Sequence, residues 1–402
     1  MPIPKGIIRM SNIARGSIFG IKIDFEKSTG SHVYDKRSNR HLLDFFGMYA
    51  SLPLGYNHQI FQRADFKEEI VRCSHIKVAN CEFVSTETAE FDNTFTEFCN
   101  DGAFSNFHYC STGALAVEAA IKTSLHYKNY SPLNILSFKN SFHGVNSYGG
   151  FITDRFFSSK PRLEGLPEIF STKCEYDLEK VESYLSNTEK PVTCVMVEPI
   201  QCTAGDIHHQ TSFFENIRKL CTKYDVPLIF DEIQVGFGAT GKLWYYEHLG
   251  VVPDILVFGK KSQISGFMVK EKFNAIFDKG NVNRLEVTWN ADTLDMIRCK
   301  YIIKAFQEYK ILDNVVERGN QIVNTLSECD KISGLRSKGL IIGFDLKDTL
   351  TRDRFMDCLF HKGMICNSTG ENSIRLRPSL NLSHEDASHG CRLIKEALNE
   401  VS

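Results

Sequence analysis

The sequence lacks a hydrophobic run long enough to cross a membrane, since no stretch approaches the roughly 18 uncharged apolar residues that a spanning helix needs. Its first residues, MPIPKGIIRMSNIARGS, lack the apolar core of a signal peptide. It also lacks an excess of either charge, because 47 Lys and Arg residues face 49 Asp and Glu residues, for a formal net charge of −2. We therefore expect a cytoplasmic protein that binds neither membranes nor nucleic acid.

The 13 cysteines form no CxxC pair, and none lies near a histidine pair at the spacing of zinc ligands. Most lie in apolar surroundings, as Cys194 does in PVTCVMVEP. The odd count also argues against a complete disulfide framework. The pattern therefore predicts reduced, buried thiols and no metal site.

Short apolar runs alternate with amphipathic stretches through the middle of the chain, without repeats or low-complexity tracts. Predicted strands are Phe107–Cys110, Asn134–Phe138, Val192–Val197, Pro227–Phe230 and an apolar run within Asp254–Lys261, and predicted helices are Ala114–Tyr127, Tyr176–Leu185 and Thr211–Tyr224. Apolar runs without alternation are typical of strands that are buried on both faces. The pattern therefore predicts an α/β fold with a mostly parallel sheet flanked by helices.

The pattern changes after about Trp289, where it becomes typical of a smaller α+β unit. Predicted there are a long helix, Asp292–Glu317, strand-like pieces at Leu340–Leu346 and Ser373–Leu376, and a final helix near Glu385–Glu400. The first 50 residues, with strand candidates Ile21–Phe25 and His32–Tyr34, are expected to pack with this unit. We predict a large domain of residues 51–290 and a small domain formed by residues 1–50 and 291–402.

Two polar segments follow predicted strands, and ligands of parallel sheets gather where the strands end. The strand-to-helix turn Ser111–Ala114 offers backbone N–H groups and a helix N-terminus, which favour a phosphate, although Ser and Thr are also ordinary helix caps. The segment Phe142–Gly144 offers an aromatic face and a histidine ring, although such a segment often serves packing alone.

Acidic side chains follow two further strands. Asp231 and Glu232 come directly after the run PLIF, and Glu198 follows VTCVMV. Successive side chains on a strand point to opposite faces, so one member of the adjacent pair can face a site while the other caps a helix. Buried carboxylates are costly without partners, so these acids indicate a polar site at the sheet edge.

A lysine pair closes the strand-like segment DILVFGKK. A partly desolvated lysine forms a Schiff base with an aldehyde, and an Asp that binds a pyridinium nitrogen is its usual companion in pyridoxal phosphate chemistry. The phosphate-binding turn, the aromatic face, the buried Asp and the strand-end Lys together indicate pyridoxal 5'-phosphate as the cofactor.

The sequence resembles the class III (ornithine/ω-amino acid) aminotransferases, nearest to their lysine 6-aminotransferase branch, over nearly its whole length. The resemblance rests on the segments STGALAVEAAIK (111–122), SFHG (141–144), VEPIQ (197–201), IFDEIQVGFGATGKLW (229–244), PDILVFGKKSQISG (253–266), RLEVTWNADTLDMIR (284–298) and SIRLRPSL (373–380). It implies the fold type I architecture, with a large cofactor-binding domain and a smaller domain.

The resemblance implies a role for individual residues at the cofactor. Lys260 matches the Schiff-base lysine, with Lys261 as the alternative, and Asp231 matches the partner of the ring nitrogen. The remaining residues that the resemblance places at the cofactor are Thr112, Gly113, Ala114, Phe142, His143, Glu198, Gln234 and Thr288. Of these, Gly113 and Ala114 match the phosphate-binding turn, Phe142 the ring-stacking aromatic and Gln234 the residue near the ring hydroxyl.

The resemblance also implies how substrate and partner subunit are bound. Arg375 matches the arginine that binds a substrate carboxylate, with Arg377 as the alternative. Thr288 matches a residue that reaches the phosphate of the neighbouring subunit, which implies a homodimer with shared active sites. Two positions depart from the family, because Thr203 replaces an acid that shields the carboxylate-binding arginine and Val145 replaces an arginine for a distal carboxylate.

These residues predict an aminotransferase that moves an amino group from an amine or amino acid to a keto acid or aldehyde, with Lys260 as the proton shuttle. Val145 and Thr203 favour a substrate without a second carboxylate at the usual place. An aminomutase, epimerase or decarboxylase on the same scaffold is an alternative, as is a non-catalytic relative, against which Lys260, Asp231 and Gln234 argue.

Overall fold

The structure is a computed structural model that describes residues 6–7, 16–17, 19–131, 134–155 and 171–401, with the backbone alone for the first two ranges. Parts of both predicted domains, at residues 1–5, 8–15, 18, 132–133, 156–170 and 402, lie outside this description. The described α-helices are Ala64–Cys73, Thr86–Cys99, Gly113–Tyr127, Ser147–Ile152, Leu178–Leu185, Thr211–Lys223, Tyr246–Leu249, Thr293–Glu308, Ile311–Ser327, Thr349–Lys362 and His384–Val401, with a further short turn at Gly47–Ala50.

A seven-stranded sheet forms the centre of the molecule. Its strands, in spatial order, are Asn106–Cys110, Ser265–Val269, Ile255–Phe258, Leu228–Asp231, Cys194–Val197, Ile135–Phe138 and Ser171–Cys174. Ser265–Val269 pairs antiparallel with both of its neighbours, and the pairs beyond Ile255–Phe258 are parallel. The prediction of an α/β fold with a mostly parallel sheet is confirmed.

Both faces of this sheet are buried, which explains the continuous apolar runs of its strands. Neighbouring residues on one strand belong to different hydrophobic clusters, as Val195 and Met196 do, and as Phe230 and Ile229 do. Each fully buried side chain of this size contributes roughly 1.5–3 kcal/mol. The sheet is therefore held by helices on both sides, with its carboxyl edge left for polar residues.

Smaller sheets lie outside this centre. Four strands form an antiparallel sheet in the order Ser333–Lys338, Ile341–Asp345, Ser373–Leu376 and Asn367–Thr369, and three form another in the order Met364–Ile365, Arg40–Asp44 and His32–Asp35. Two-stranded pairs join Gly6–Ile7 to Gly16–Ser17 and Ile200–Gln201 to Ile207–His208. Early and late parts of the chain thus share a sheet, because Met364–Ile365 pairs with Leu43 and Asp44.

Two predicted elements are wrong. Ile21–Phe25 is not a strand: Ile23 makes an isolated bridge to Asp35, and Asp24 Oδ1 accepts the N–H groups of Glu26 and Lys27 in a turn that ends the extended segment. The predicted helix Asp292–Glu317 is two helices. The first ends at Glu308 and the second begins at Ile311, because Lys310 adopts a left-handed conformation with φ of 49°.

No helix in the described part of the chain combines the length and the apolarity that crossing a membrane requires.

Candidate active site

The carboxyl ends of five central strands open into one cavity of about 270 Å³. It is lined by Gly113, Ala114, Phe142, His143, Gly144, Val145, Glu198, Ile200, Asp231, Ile233, Gln234, Val235 and Lys260. Eight of the predicted cofactor residues are therefore brought together, and Thr112, Thr288 and Arg375 lie outside this lining. The reasoning from sequence missed the apolar walls, Ile200, Ile233 and Val235, of which the last two flank Gln234 in a segment already singled out.

Asp231 is buried at the end of the strand Leu228–Asp231 and is held on both carboxylate oxygens. Oδ2 lies 2.8 Å from Nδ1 of His143, and Oδ1 accepts the N–H of Ile233 at 3.2 Å. Nε2 of His143 is buried, with no hydrogen-bond partner in the described residues. A carboxylate fixed in this way faces the cavity with its orientation set before any ligand binds.

Glu232 faces the opposite side of the strand and serves the fold instead. Its carboxylate accepts the backbone N–H of Tyr246 at 2.9 Å and also that of Tyr245, at the start of the helix Tyr246–Leu249. Burial raises the pKa of Glu232 to about 8. Of the two adjacent acids, the strand thus turns only Asp231 toward the cavity.

Glu198 is the second carboxyl group in the cavity. It is 6% exposed, and Oε1 accepts the N–H of Phe142 at 2.8 Å. Burial, followed by the charge of nearby Asp231, raises its pKa well above the ordinary value. The hydrogen bond also fixes the backbone of Phe142 at the cavity wall.

The two adjacent lysines point in different directions. Lys260 lines the cavity, whereas Lys261 is 2% exposed and its Nζ donates to the carbonyl oxygens of Leu52, at 3.1 Å, and Pro378, at 3.5 Å. Burial, with the charge of Arg375 next, lowers the pKa of Lys260 to about 8. A lysine in this state supplies an unprotonated amine near neutral pH, as covalent capture of an aldehyde requires.

The turn Ser111–Ala114 lies at the N-terminus of the helix Gly113–Tyr127. Oγ1 of Thr112 accepts the N–H of Leu115 at 3.4 Å, so Thr112 caps the helix. The N–H groups of Gly113 and Ala114 belong to the first turn, where no carbonyl of the helix can accept them, and they favour an anion. A Cβ atom on Gly113 would lie 2.9 Å from Cδ1 of Ile233, so a larger residue at this position would displace the end of that side chain.

Arg375 and Arg377 lie beside the cavity on either side of Gln234. Oε1 of Gln234 accepts Nη1 of Arg375 and Nε of Arg377, each at 3.4 Å. Arg377 is 2% exposed and forms an ion pair with the fully buried Asp206, a residue that the sequence reasoning missed. Arg375 donates to the carbonyl oxygen of Cys202 at 3.1 Å, and in the described part of the chain its hydrogen-bond partners carry no charge.

Of the two positions that depart from the resembled family, Thr203 follows Cys202, which accepts a hydrogen bond from Arg375, and Val145 lies in the cavity lining. Thr203 is buried and its Oγ1 has no hydrogen-bond partner within the described ranges. Val145 lines the cavity and is 60% exposed. The wall at Val145 is thus apolar, and the hydrogen bonds of Arg375 within the described residues go to uncharged oxygens.

Thr288 is exposed, and its neighbour Trp289 approaches the phosphate-binding turn. The carbonyl oxygen of Trp289 accepts Oγ of Ser111 at 2.6 Å, and the carbonyl oxygen of Thr288 lies 3.8 Å from Sγ of Cys81. Whether Thr288 serves a neighbouring subunit stays a prediction, since the structure is of one chain.

The side chains of the cavity fit pyridoxal phosphate. An amine, a fixed carboxylate and free N–H groups at a helix N-terminus, from Lys260, Asp231 and Gly113–Ala114, line one cavity. These are the groups that an aldehyde, a pyridinium nitrogen and a phosphate require.

Comparison with known proteins gives a consistent result. Residues 14–398 match the family profile described as aminotransferase class-III. The L-lysine-epsilon aminotransferase of Mycobacterium bovis is 30% identical, over 95% of this chain and 92% of that protein. The acetylornithine/succinyldiaminopimelate aminotransferase of Buchnera aphidicola is also 30% identical, over 93% and 92%. The structure of lysine aminotransferase from Mycobacterium tuberculosis in the internal aldimine form superposes with a TM-score of 0.88 at 28% identity, over 95% of this chain and 96% of that one.

Proposed function

The chain belongs to the class III aminotransferases, which are pyridoxal phosphate enzymes, and we propose that it uses Lys260 to bind the cofactor covalently and to move the proton. The observation that carries this proposal is the opposite orientation of the two lysines: Lys260 shares the cavity with Asp231, and Lys261 is buried against two carbonyl groups outside it.

When bound, pyridoxal phosphate supplies an aldehyde that captures the amine and a protonated ring that takes up the electrons of the broken bond. Asp231, oriented by His143, holds the proton on the ring nitrogen. Phe142 would stack on the ring, and Gly113 and Ala114, with Thr112, would hold the phosphate. Glu198 and Gln234 complete the polar surroundings of the ring.

Lys260 would have a second task when a substrate amine is bound. Its Nζ would remove a proton from the substrate carbon and hold it for the return step. A pKa of about 8, lowered first by burial, lets the amine accept and release this proton near neutral pH. The donor would leave as a keto compound whose oxygen comes from water, and its amino group would pass to the acceptor keto acid or aldehyde.

The substrate is an amine or amino acid paired with a keto acid or aldehyde, and we propose that it carries one carboxylate, bound by Arg375. A buried guanidinium whose hydrogen-bond partners in the described residues are uncharged favours an anion, and the planar fork suits a carboxylate. Val145 leaves the opposite wall apolar, which favours an uncharged distal group.

A second copy of the chain completes the proposed enzyme. Ile76, Phe83, Val84 and Trp289 are large apolar side chains with exposures of 73%, 66%, 74% and 46%, and the first three lie in the segment whose Cys81 Sγ is 3.8 Å from the carbonyl oxygen of Thr288. An apolar surface of this kind indicates a protein interface. In the proposed homodimer Thr288 contacts the phosphate in the neighbouring subunit, so that the sites are shared.

Two further assignments complete the proposal. Residues 51–290 form the cofactor-binding domain and residues 1–50 with 291–402 the small domain, which is supported by the confinement of the seven-stranded sheet to residues 106–269. The enzyme works in the cytoplasm, which is supported by 13 cysteines that are all free thiols.

Two lysine variants test the central assignment. Lys260→Ala is expected to lose the visible absorbance of the covalently bound cofactor and to form no keto product from any amine in a donor screen. Lys261→Ala is the matched control and is expected to keep both. Absorbance and product retained in Lys260→Ala, and lost in Lys261→Ala, would contradict the proposal.

A further inference from the structure

Lys261 is the one member of the lysine pair for which the proposed reaction has no use, yet it is among the most buried charged side chains described. Its Nζ donates to Leu52 O at 3.1 Å and to Pro378 O at 3.5 Å. A buried amine is costly unless its N–H groups find acceptors, and the two carbonyl groups supply them. The position therefore calls for an explanation other than catalysis.

The two carbonyl groups belong to separate segments that border the substrate end of the site. Leu52 follows the turn Gly47–Ala50, in which all four residues have positive φ angles, of 55°, 52°, 57° and 68°. Left-handed backbone is unfavourable for residues other than glycine, so this turn must be held by its surroundings. Pro378 lies three residues beyond Arg375, at the end of the strand Ser373–Leu376.

The turn and the strand already hold each other. The buried Asp44 accepts the N–H of Gly47 at 2.7 Å, and Arg377 N donates to Phe45 O at 2.7 Å. A Cβ atom on Gly47 would lie 2.1 Å from Arg377 O, so the two backbones are in direct contact. Together they form one body that carries Arg375.

The loop that carries Lys260 is joined to this body by its own side chains. Lys260 itself has a φ of 54°, and Gln263 N closes the turn by donating to Lys260 O at 2.8 Å. Gln263 Nε2 donates to Ser51 O, and Lys261 reaches both the turn and the strand. Lys261 is thus the side chain that ties Lys260 to the Arg375 strand as well as to the left-handed turn.

We propose that Lys261 is a positioning residue, whose Nζ fixes the separation between Lys260 and Arg375 and hence the placement of the substrate carboxylate relative to the reacting carbon. The proposal rests on the proposed function, in which Lys260 acts on the reacting carbon and Arg375 binds the carboxylate of the substrate. Methionine at position 261 has a similar length but no N–H groups, and it would leave both carbonyl groups without their donor.

The test compares two amines that differ by a carboxylate, L-norvaline and n-butylamine, in single-turnover half-reactions of the Lys261→Met holoenzyme. Misplacement of a bound group by about 1 Å costs up to roughly a hundredfold in rate. We expect the half-reaction rate constant of L-norvaline to fall by about tenfold or more, and that of n-butylamine to change by less than about twofold. Lys219→Met, at an exposed lysine of the helix Thr211–Lys223, is the matched control and should leave both amines unchanged.

Equal losses for both amines would overturn the proposal, because they would show a merely structural role. Should Lys261→Met fail to fold, Gln263→Leu removes the hydrogen bond to Ser51 O from the same loop. This variant must show the same larger loss for L-norvaline than for n-butylamine, or else the proposal fails. Loss of the covalent cofactor absorbance in Lys261→Met, with retention in Lys260→Ala, would instead contradict the proposed function, so the two failures are distinguishable.

Discussion

The two ends of the cavity use charge in opposite ways. At the ring end, the carboxyl groups of Asp231 and Glu198 are buried and accept hydrogen bonds from His143 and the backbone of Phe142. At the substrate end the protein supplies one buried carboxylate, Asp206, which pairs with Arg377, and Arg375 donates only to uncharged oxygens in the described part of the chain. The ring end is organised by the protein alone, whereas Arg375 at the substrate end is placed to bind an anion that a ligand brings.

This difference explains why the neighbouring arginines Arg375 and Arg377 have different binding partners. Arg377, two residues beyond Arg375, has its own carboxylate in Asp206 and is structural. The charge of Arg375 acts on Lys260 and helps lower its pKa, after burial. A substrate carboxylate on Arg375 would offset that effect, so binding at one end raises the basicity of the amine at the other.

The largest effect is expected from breaking the ring end. Asp231→Asn keeps the size of the side chain but removes the charge that holds the ring proton, so kcat should fall by about 10²–10³-fold, the usual cost of losing one preorganised electrostatic group. The measurement is the rate of the half-reaction with L-norvaline and with n-butylamine. Because the ring is common to both reactions, the two rates should fall alike, and a loss confined to L-norvaline would contradict the assignment.

A smaller and more selective effect is expected at the substrate end. Arg375→Met removes the carboxylate partner, and kcat/KM for L-norvaline should fall on the order of a hundredfold, since truncating one member of a buried charge pair costs about 2–5 kcal/mol. The value for n-butylamine should stay within about threefold. Arg375→Lys keeps the charge without the bidentate fork and should be intermediate. An equal fall for both amines would show that Arg375 supports the fold and not the substrate.

The sequence predicts the ring end better than the substrate end, for a physical reason. Strands buried on both faces can be recognised in the sequence as apolar runs. The polar residues at their ends, such as Asp231 and Glu198, must then meet at the carboxyl edge of the sheet. The strand Ser265–Val269 was missed because it returns antiparallel after a tight turn. The break at Lys310 carries no glycine or proline to mark it.

The substrate end depends on contacts between distant segments, which no local pattern encodes. Asp206 lies 171 positions from Arg377, and only the folded chain shows which arginine it neutralises. The choice between Lys260 and Lys261 was left open for a similar reason. Both are in a turn where alternation does not apply, and the left-handed φ of Lys260 sets their directions. The roles of these residues at the cofactor and substrate stay predictions for the experiments above.

The smallest expected effect is on the pH dependence of the free energy of unfolding, because the substrate end contains buried amines and the ring end contains buried acids. Burial, with the charge of Arg377 next, lowers the pKa of Lys261 to about 7 from an ordinary 10.5. Between these values the unfolded chain binds more protons than the folded one, so the free energy of unfolding rises with pH. One such group contributes a slope of about 1.4 kcal/mol per pH unit.

Lys261→Met should remove that contribution. We expect urea unfolding of the cofactor-saturated protein between about pH 8 and pH 10 to show a slope lower than wild type by about 1.4 kcal/mol per pH unit. Glu232, with its pKa raised to about 8 by burial, acts mainly below this window and is common to both proteins. Lys219→Met should reproduce the wild-type slope, because this lysine is exposed. Equal slopes in wild type and Lys261→Met would mean that Lys261 keeps its proton when folded, and that the substrate end contains one more buried positive charge than we infer.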